Sequence, residues 1–451
     1  MKKREKGYEI DMCSGSLWKK ILSFSIPLMF SNVLQVVFNL SDVAVVGKFA
    51  GSIALGSVGS TSILVMLFTS IFLGLGGGVN VLTALHIGSG KAQNIRETVH
   101  TSVILCLSGG ILVTIVGILI SDGILTAMHT KPELIDGAAL YLKIYLLGMP
   151  ALALYNCGNA ILSAAGDTKR PLYYLIFSGI INVILNLFFV IVCHMGVEGV
   201  AIASITAQYI SAILVFRLLF RAKTDYGIRL KELRITKDKA VRILQLGVPT
   251  ALQYMLFSVA NLFVQVGVNS FDHIVVEGNA AAANADSLVY DMMAAFYTAC
   301  ASFMARNYGA QKRKRVIRSY YICLLYSFLV GLVLGLAIYV LRIPFLGLFT
   351  NDAAVVKAGV TRISIMALSY SVSAFMDCTT AASRSLGKSV IPTAGVIAGS
   401  VVFRIAWIYT VFAYFHTIQS LYLLYVFSWA ITAIFEILYF AHTYRKLPPA
   451  A

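Results

Sequence analysis

Four polar side chains recur at helical spacing in NVLQVVFNLSD, the stretch that covers residues 32–42 of an otherwise apolar segment. Steps of three, four and three residues place all four on one narrow face of a helix. A carboxylate beside amides in an apolar setting can take up and release a proton or a small cation. The stripe is therefore a candidate for ion-dependent chemistry, and its members are Asn32, Gln35, Asn39 and Asp42.

Amide side chains in two later segments complement this stripe. Asn182 and Asn186 are four residues apart in INVILNLFFV and share a helix face, and Asn156 lies in the preceding apolar segment. With Asp42 they predict a polar pocket in the first half of the chain. The alternative is that these amides only hydrogen-bond to each other between helices, which is a common use of Asn in membranes.

The second half carries a weaker stripe and several acids within apolar segments. A charged Asp near the centre of a spanning helix costs about 2.5–3.5 kcal/mol, so such residues usually face a cavity or a partner. Acids beside aromatic rings suit an organic cation, although most aromatic residues in membranes only pack or anchor. The residues predicted for a substrate cavity are Asn32, Gln35, Asn39, Tyr254, Asn261, Gln265, Asp286, Asp291 and Asp377.

The segments that position these residues are apolar enough to cross a bilayer. Apolar residues make up 59% of the 451 and charged residues only 12%. Twelve apolar runs approach the roughly 20 residues that a spanning helix needs. They are centred near residues 29, 65, 109, 151, 182, 209, 255, 290, 329, 373, 403 and 432. We therefore predict an all-α polytopic membrane protein with twelve transmembrane helices, embedded in the lipid bilayer.

The formal net charge of +16 is distributed unevenly. Lys and Arg concentrate in the N-terminal segment, in alternate loops, between Arg217 and Arg242, and around QKRKRVIR. This is the positive-inside pattern, which predicts that both termini face the cytoplasm. It accounts for the charge without nucleic-acid binding, and we expect no nucleic-acid partner.

The chain also matches itself at an offset of 221–222 residues. The offset pairs Pro27 with Pro249, Asn39 with Asn261, and the final Gly of SAAG with Gly387. Six helices per half give both halves the same orientation, so the repeat is parallel and a cavity is expected between the halves. The predicted divisions are an N-lobe (1–220), a cytoplasmic linker (221–240) and a C-lobe (241–451).

Motifs of other function classes are missing from the sequence. HExxH, GxSxG and a phosphate loop are absent, so we expect neither an enzyme nor an ATP-driven pump. The seven Cys residues have no metal-ligand spacing, so we predict packing roles for them and no metal site. GLGGGVN (74–80) favours close helix packing, and Arg404 is expected to pair with an acid or a helix carbonyl.

Seven segments, which include the polar stripe and the Asn pair described above, together resemble the bacterial multidrug and toxic compound extrusion (MATE) transporters over essentially the whole chain. The resembling segments are NVLQVVFNLSDVAVVGKF, YLKIYLLGMPALALYN, SAAGDTKRPLYY, INVILNLFFV, NAAAANADSLVYDMMAAFY, RNYGAQKRKRV and FRIAWIY. The resemblance implies two six-helix lobes and export of small organic cations in exchange for H⁺ or Na⁺, with no other cofactor.

The family's N-lobe cation site falls on Asp42, Asn156, Asn182 and Asn186. Relatives usually carry Asp where this chain has Asn186, so Asp42 is the one ionisable member of the site here. Asp377 lies near the acidic position that sodium-coupled members have in their tenth helix. The alternatives are a flippase of lipids or lipid-linked glycans from the same superfamily, and a membrane scaffold or sensor that does not transport.

Overall fold

The structure, a computed structural model, describes residues 8–447. Within that range the chain contains helices and no β-strand. Eleven of the described helices are long and apolar enough to cross a membrane, and a further crossing is formed by two helices bent by 45° at a short break. With the bent pair counted as one span, the prediction of twelve transmembrane helices is confirmed.

The six spans of the first half are α1 (Leu17–Ala50), α2 (Ser52–Ser89), α3 (Ala92–Ala127), α4 (Pro132–Leu146 with Met149–Ala165), α5 (Lys169–Val192) and α6 (Val197–Arg221). The six spans of the second half are α7 (Lys237–Val268), α8 (His273–Gly309), α9 (Arg313–Val340), α10 (Ala353–Ser385), α11 (Val390–Phe415) and α12 (Ile418–Arg445).

The backbone repeats in the two halves, as the sequence predicted. Three left-handed positions of the first half recur 221 or 222 residues later, and they mark equivalent helix ends: Gly90 with Gln311, Gly166 with Gly387, and His194 with His416. One proline also lies inside the first helix of each half, at equivalent positions: Pro27 in α1 and Pro249 in α7. The repeat therefore extends from the residue pattern to the turns.

The described chain forms two compact units whose boundaries differ from the predicted divisions. One unit contains the chain up to Asp11 and Phe30–Leu252, and the other contains Met12–Met29 and the chain from Gln253 onward. The first helix of each half thus changes unit partway along its length. Each predicted lobe (1–220 and 241–451) is one continuous stretch of the chain, whereas each unit of the structure combines two separate stretches.

Packing explains why the beginning of α7 belongs to the first unit. A Cβ atom at Gly74 of α2 would lie 2.3 Å from the backbone nitrogen of Ala251. One at Gly78 would lie 2.7 Å from the carbonyl oxygen of Ile243. Only glycine permits backbones to approach this closely, so the prediction that GLGGGVN serves helix packing is confirmed.

Aromatic contacts explain why Met12–Met29 belongs to the second unit. The rings of Phe24 and Phe303 are 5.5 Å apart and perpendicular, and those of Trp18 and Tyr326 are 5.4 Å apart. Such edge-to-face pairs add to the area that the rings bury. The basic segment before Tyr8, which supports the predicted cytoplasmic N-terminus, lies outside the described residues.

The predicted linker is shorter in the structure than in the sequence-based division, because α7 already begins at Lys237. Tyr226 in this linker is buried and its hydroxyl donates a hydrogen bond to Glu9. Burial is the main reason why the pKa of Tyr226 lies above its ordinary value, and this hydrogen bond raises it further. The linker also reaches α3 through an ion pair of 3.0 Å between Asp225 and Arg96.

The glycines Gly166 and Gly387 allow a matched test of the repeat. Both have positive φ, of +99° and +80°, but a Cβ at Gly166 would lie 2.4 Å from the carbonyl oxygen of Ile10, whereas a Cβ at Gly387 meets nothing within 4 Å. We expect Gly387→Ala to destabilise by about 1–2 kcal/mol through backbone strain alone. Gly166→Ala should cost about 1–3 kcal/mol more through overpacking.

Thermal unfolding of the purified protein in detergent measures this difference. The Gly387→Ala variant serves as the control for backbone strain, because its added methyl group has open space. Equal unfolding midpoints for the two variants would show that the contact between Gly166 and Ile10 does not restrict that turn.

Candidate functional site: a buried carboxylate cluster

A polar cluster inside the first unit surrounds Asp42, and we call its four residues the Asp42 cluster: Asp42, Asn182, Asn186 and Ser204. Asp42 is half-buried on α1, whereas the two Asn residues on α5 and Ser204 on α6 are at most 7% exposed. Helical spacing brings the two Asn residues to one face of α5. Three helices therefore converge on one carboxylate.

Hydrogen bonds connect the Asp42 cluster in a closed order. Asn186 donates to one oxygen of Asp42, and the Ser204 hydroxyl donates to the other at 3.0 Å. Asn182 donates to Ser204 at 3.4 Å and accepts from Asn186 at 3.4 Å. The carboxylate is thus held from both sides by neutral donors, with no basic side chain in the cluster.

The Asp42 cluster retains capacity for one more bond partner. A carboxylate offers about four lone-pair sites, and among the described residues Asn186 and Ser204 donate to those of Asp42. The side-chain oxygen of Asn186 is buried and has no hydrogen-bond partner among the described residues. A proton, or a hard cation that prefers oxygen ligands, would satisfy these atoms.

Asn156, which the resemblance assigns to the same site, does not join the Asp42 cluster. Its amide nitrogen donates at 2.9 Å to the carbonyl oxygen of Leu152, one turn earlier on the same helix. A carbonyl within reach satisfies this amide locally, so its spacing in the sequence did not indicate its partner. Conversely, sequence reasoning missed Ser204. Hydroxyl residues are common in spanning helices, and the residues around Ser204 do not distinguish it from the other serines.

The remaining stripe residues of α1 lie outside the Asp42 cluster. Gln35 and Asn39 are exposed, Asn32 is half-buried, and neither Gln35 nor Asn39 hydrogen-bonds to the Asp42 cluster. Of this stripe, Asp42 contacts α5 and α6 through the Asp42 cluster, and the place of the other three residues in a substrate cavity stays a prediction.

The predicted acids of the second unit lie in different surroundings. Asp286 on α8 pairs with Arg362 of α10 and also accepts a hydrogen bond from the Tyr370 hydroxyl. Its charge is therefore neutralised by an arginine that sequence reasoning missed, although an Arg inside an apolar run could have signalled it. Asp286 is thus unsuited to the predicted role of a free negative charge for an organic cation.

Asp377 differs from Asp286 in forming no ion pair among the described residues. Asp377 on α10 is 9% exposed, and its Oδ2 atom has no hydrogen-bond partner within residues 8–447. Asp291 is half-buried on α8. The place of these two acids in a substrate cavity stays a prediction.

The polar stripe of α7 is divided among separate contacts. Tyr254 is half-buried and its carbonyl accepts from Ser258. Gln265 donates to Asn269 at 2.8 Å, at the end of the helix. Asn261 accepts at 3.2 Å from Arg404.

Arg404 therefore contacts an amide and not the predicted acid or helix carbonyl. The side chains that accept its hydrogen bonds, on α7 and α12, are neutral. Asp377 is the acid whose charge acts on Arg404, and no ion pair joins the two among the described residues. Within residues 8–447 no group of three or more His, Cys, Asp or Glu residues could hold a metal ion.

Known proteins share both the repeat and the fold. The MatE family model matches residues 27–188 and again 249–410, which are 222 residues apart. A probable multidrug resistance protein of Bacillus subtilis (strain 168), YpnP, is 29% identical over 308 residues, covering 68% of each chain. A second protein of that organism with the same description, YoeA, is 26% identical over 387 residues, covering 84% of this chain and 83% of the relative.

A solved structure of a MOP superfamily transporter from Pyrococcus furiosus Vc1 (DSM3638) superimposes with a TM-score of 0.91 at 22% identity, covering 98% of both chains. This likeness shows that the chain has the same fold as that structure. Because the family model matches well over half of the chain, in both halves, the chain belongs to the MatE family of multidrug transporters and is not an enzyme.

Proposed function

We propose that this transporter exports small organic cations in exchange for H⁺ or Na⁺, by alternating access, with Asp42 as the coupling group. The observation that carries the proposal is the Asp42 cluster, in which two neutral donors hold a carboxylate inside a spanning unit. A carboxylate in an apolar setting is costly to keep charged and unpaired. Asp42 would then alternate between two states, one with a cation bound and one without.

The Asp42 cluster suits this exchange chemically. With Asp42 ionised, Asn186 and Ser204 stabilise the charge through hydrogen bonds. A proton would occupy one of the free lone pairs, whereas Na⁺ would take oxygen ligands from Asp42 and from the unpartnered Asn186 side chain. Both ions fit, so we keep both in the proposal and let the experiment choose.

The organic-cation part of the proposal rests on the second unit. Because Arg362 neutralises Asp286, we assign the attraction of a positive charge to Asp377, whose Oδ2 atom has no hydrogen-bond partner among the described residues. Tyr297 lies in the same unit, and its ring is 6.1 Å from that of Tyr290. Aromatic faces next to acids favour organic cations over small metal ions.

The relatives and the charge pattern support the remaining parts. The two Bacillus relatives are described as probable multidrug resistance proteins, which is consistent with small-molecule export. Basic residues in alternate loops favour a bacterial cytoplasmic membrane with both termini on the cytoplasmic side.

Ethidium movement into proteoliposomes tests this function. We expect wild-type protein to drive uptake when a pH gradient or a Na⁺ gradient is imposed, and the effective gradient identifies the ion. A driving force of 100 mV supplies about 2.3 kcal/mol per charge, enough for roughly fifty-fold accumulation.

Protein-free liposomes and ionophore-treated proteoliposomes are the controls. Uptake that is equally fast with no gradient would contradict antiport. A lack of transport for a broad cationic panel, together with movement of a fluorescent lipid between leaflets, would favour a flippase.

A further inference from the structure

The second unit contains an arginine that the proposed function does not use. Arg404 lies on α11, about 21 Å along the helix from Val390 and about 16 Å from Phe415 at 1.5 Å per residue. It is 2% exposed. A guanidinium this far from both helix ends, and this deeply buried, needs a partner or a function.

The contacts of Arg404 are all neutral. Its Nε donates to the Ser428 hydroxyl at 3.2 Å, and one terminal nitrogen donates to Asn261 at 3.2 Å. Its guanidinium lies 5.5 Å from the centre of the Phe257 ring and 4.5 Å from that of Tyr425. Across the described part of the chain, no carboxylate forms an ion pair with it.

A second arginine, Arg362, lies next to Arg404, and it has an ion-pair partner of its own. Arg362 lies 5.5 Å from the same Tyr425 ring, and its own charge is matched by Asp286. Two guanidinium groups therefore share one ring and one paired carboxylate. Among the described residues Arg362 is therefore ion-paired and Arg404 is not. The acid whose charge acts on Arg404 is Asp377, which forms no ion pair with it.

The repeat places this charge at an informative position. The offset of 222 residues that relates the two matched segments aligns Arg404 with Asn182, a member of the Asp42 cluster. The same offset aligns Asp42 itself with the apolar Val264. Equivalent positions thus form a centre around a negative group in the first unit and around a positive group in the second.

The backbone next to Arg404 is also unusual. α11 contains π-helical segments at Ile397–Val402 and Ile408–Phe412, immediately before and after the turn that carries Arg404. Such segments are rare and occur frequently at functional sites. One partner of Arg404, Asn261, is exposed at the surface of the unit, so the arginine lies directly beneath an accessible amide.

We propose that Arg404 forms a subsite for a carboxylate group of the exported molecule. The planar guanidinium matches a carboxylate with two parallel hydrogen bonds, and burial strengthens this pairing. The substrates would then be amphoteric, with an acidic group at Arg404 in addition to the positive charge. The depth of Arg404 separates this subsite from lipid phosphates, which lie at the membrane surface.

This inference deepens the proposed function and depends on it for its role in export. Its test is a binding measurement that does not depend on ion coupling. Rhodamine 110 carries a free carboxylate, and rhodamine 123 is its methyl ester, so the pair differs only at the acidic group. Fluorescence polarisation with the purified full-length protein in detergent gives the dissociation constant of each dye.

We expect wild-type protein to bind rhodamine 110 more tightly than rhodamine 123. Arg404→Gln should weaken binding of rhodamine 110 at least about tenfold, the loss expected for a charge-assisted pair, and change rhodamine 123 less than about twofold. Arg404→Lys should give an intermediate loss, because it keeps the charge without the planar fork.

Arg342→Gln is the matched control, since Arg342 also stacks on a tyrosine, Tyr339, at 4.5 Å but lies in the short helix Arg342–Leu346, outside the membrane-spanning helices. It should leave both dissociation constants unchanged.

Several results would overturn the subsite. These are equal losses for both dyes in Arg404→Gln and Arg404→Lys, or wild-type protein that binds neither dye or only the ester. Retained binding of rhodamine 123 shows that a variant is folded. Failure of ethidium export with an intact dye preference would refute the transport mechanism alone, whereas export without a dye preference would refute the subsite alone.

Discussion

Asp42→Asn is expected to abolish gradient-driven accumulation of ethidium in proteoliposomes. The amide has nearly the same shape as the carboxylate and can still accept a hydrogen bond from Asn186. It cannot take up a proton in exchange for a charge, and it is a weaker ligand for Na⁺. Accumulation should therefore fall from as much as roughly fifty-fold at 100 mV to the level of protein-free liposomes.

The control for this variant is Asp122→Asn, the same chemical change at an exposed carboxylate of the first unit. Asp122 pairs with Lys143 at 2.7 Å, and 65% of its side chain is exposed. Exposed pairs contribute about 0–1 kcal/mol, so Asp122→Asn should transport at the wild-type rate. Equilibrium binding of ethidium should survive in both variants. Wild-type accumulation by Asp42→Asn would show that Asp42 has a structural role only.

Arg362→Met is expected to destabilise the protein by about 3–5 kcal/mol, because it leaves Asp286 without its counter-charge. Arg362 is 5% exposed, donates to Asn279 at 2.6 Å as well as to Asp286, and lies 5.1 Å from the Tyr422 ring. The double variant Arg362→Met/Asp286→Leu removes both charges. It should recover most of the lost stability, since an apolar pair of similar volume is often neutral in a buried site.

Unfolding midpoints in detergent for the wild type, the two single variants and the double variant form a complete cycle. Lys143→Met is the matched control, because it breaks an exposed ion pair and should cost no more than about 1 kcal/mol. Additive losses in the double variant would contradict the pairing. Such a result would return Asp286 to the acids that are free to attract an organic cation.

Much of the architecture follows from the sequence because membrane spans leave a strong local signal. Twelve apolar runs, the 222-residue repeat and the glycine-rich packing surface of α2 all reflect the pattern of nearby residues, which the bilayer and close helix packing constrain directly. Asp42 and the Asn182–Asn186 pair were predicted for the same reason, since a polar residue at helical spacing is conspicuous among apolar neighbours.

Only the tertiary structure determined which polar groups meet. Ser204 joins Asp42 across 162 residues of chain, Arg362 neutralises Asp286 across 76, and Asn156 bonds within its own helix. These outcomes depend on how helices from distant parts of the sequence approach one another, and a one-helix pattern carries no information about that approach. The energetic consequence of each buried charge was also determined only by the tertiary structure. The free-energy cost of burying a carboxylate or a guanidinium depends on the groups that it contacts, and the residue type alone does not reveal them.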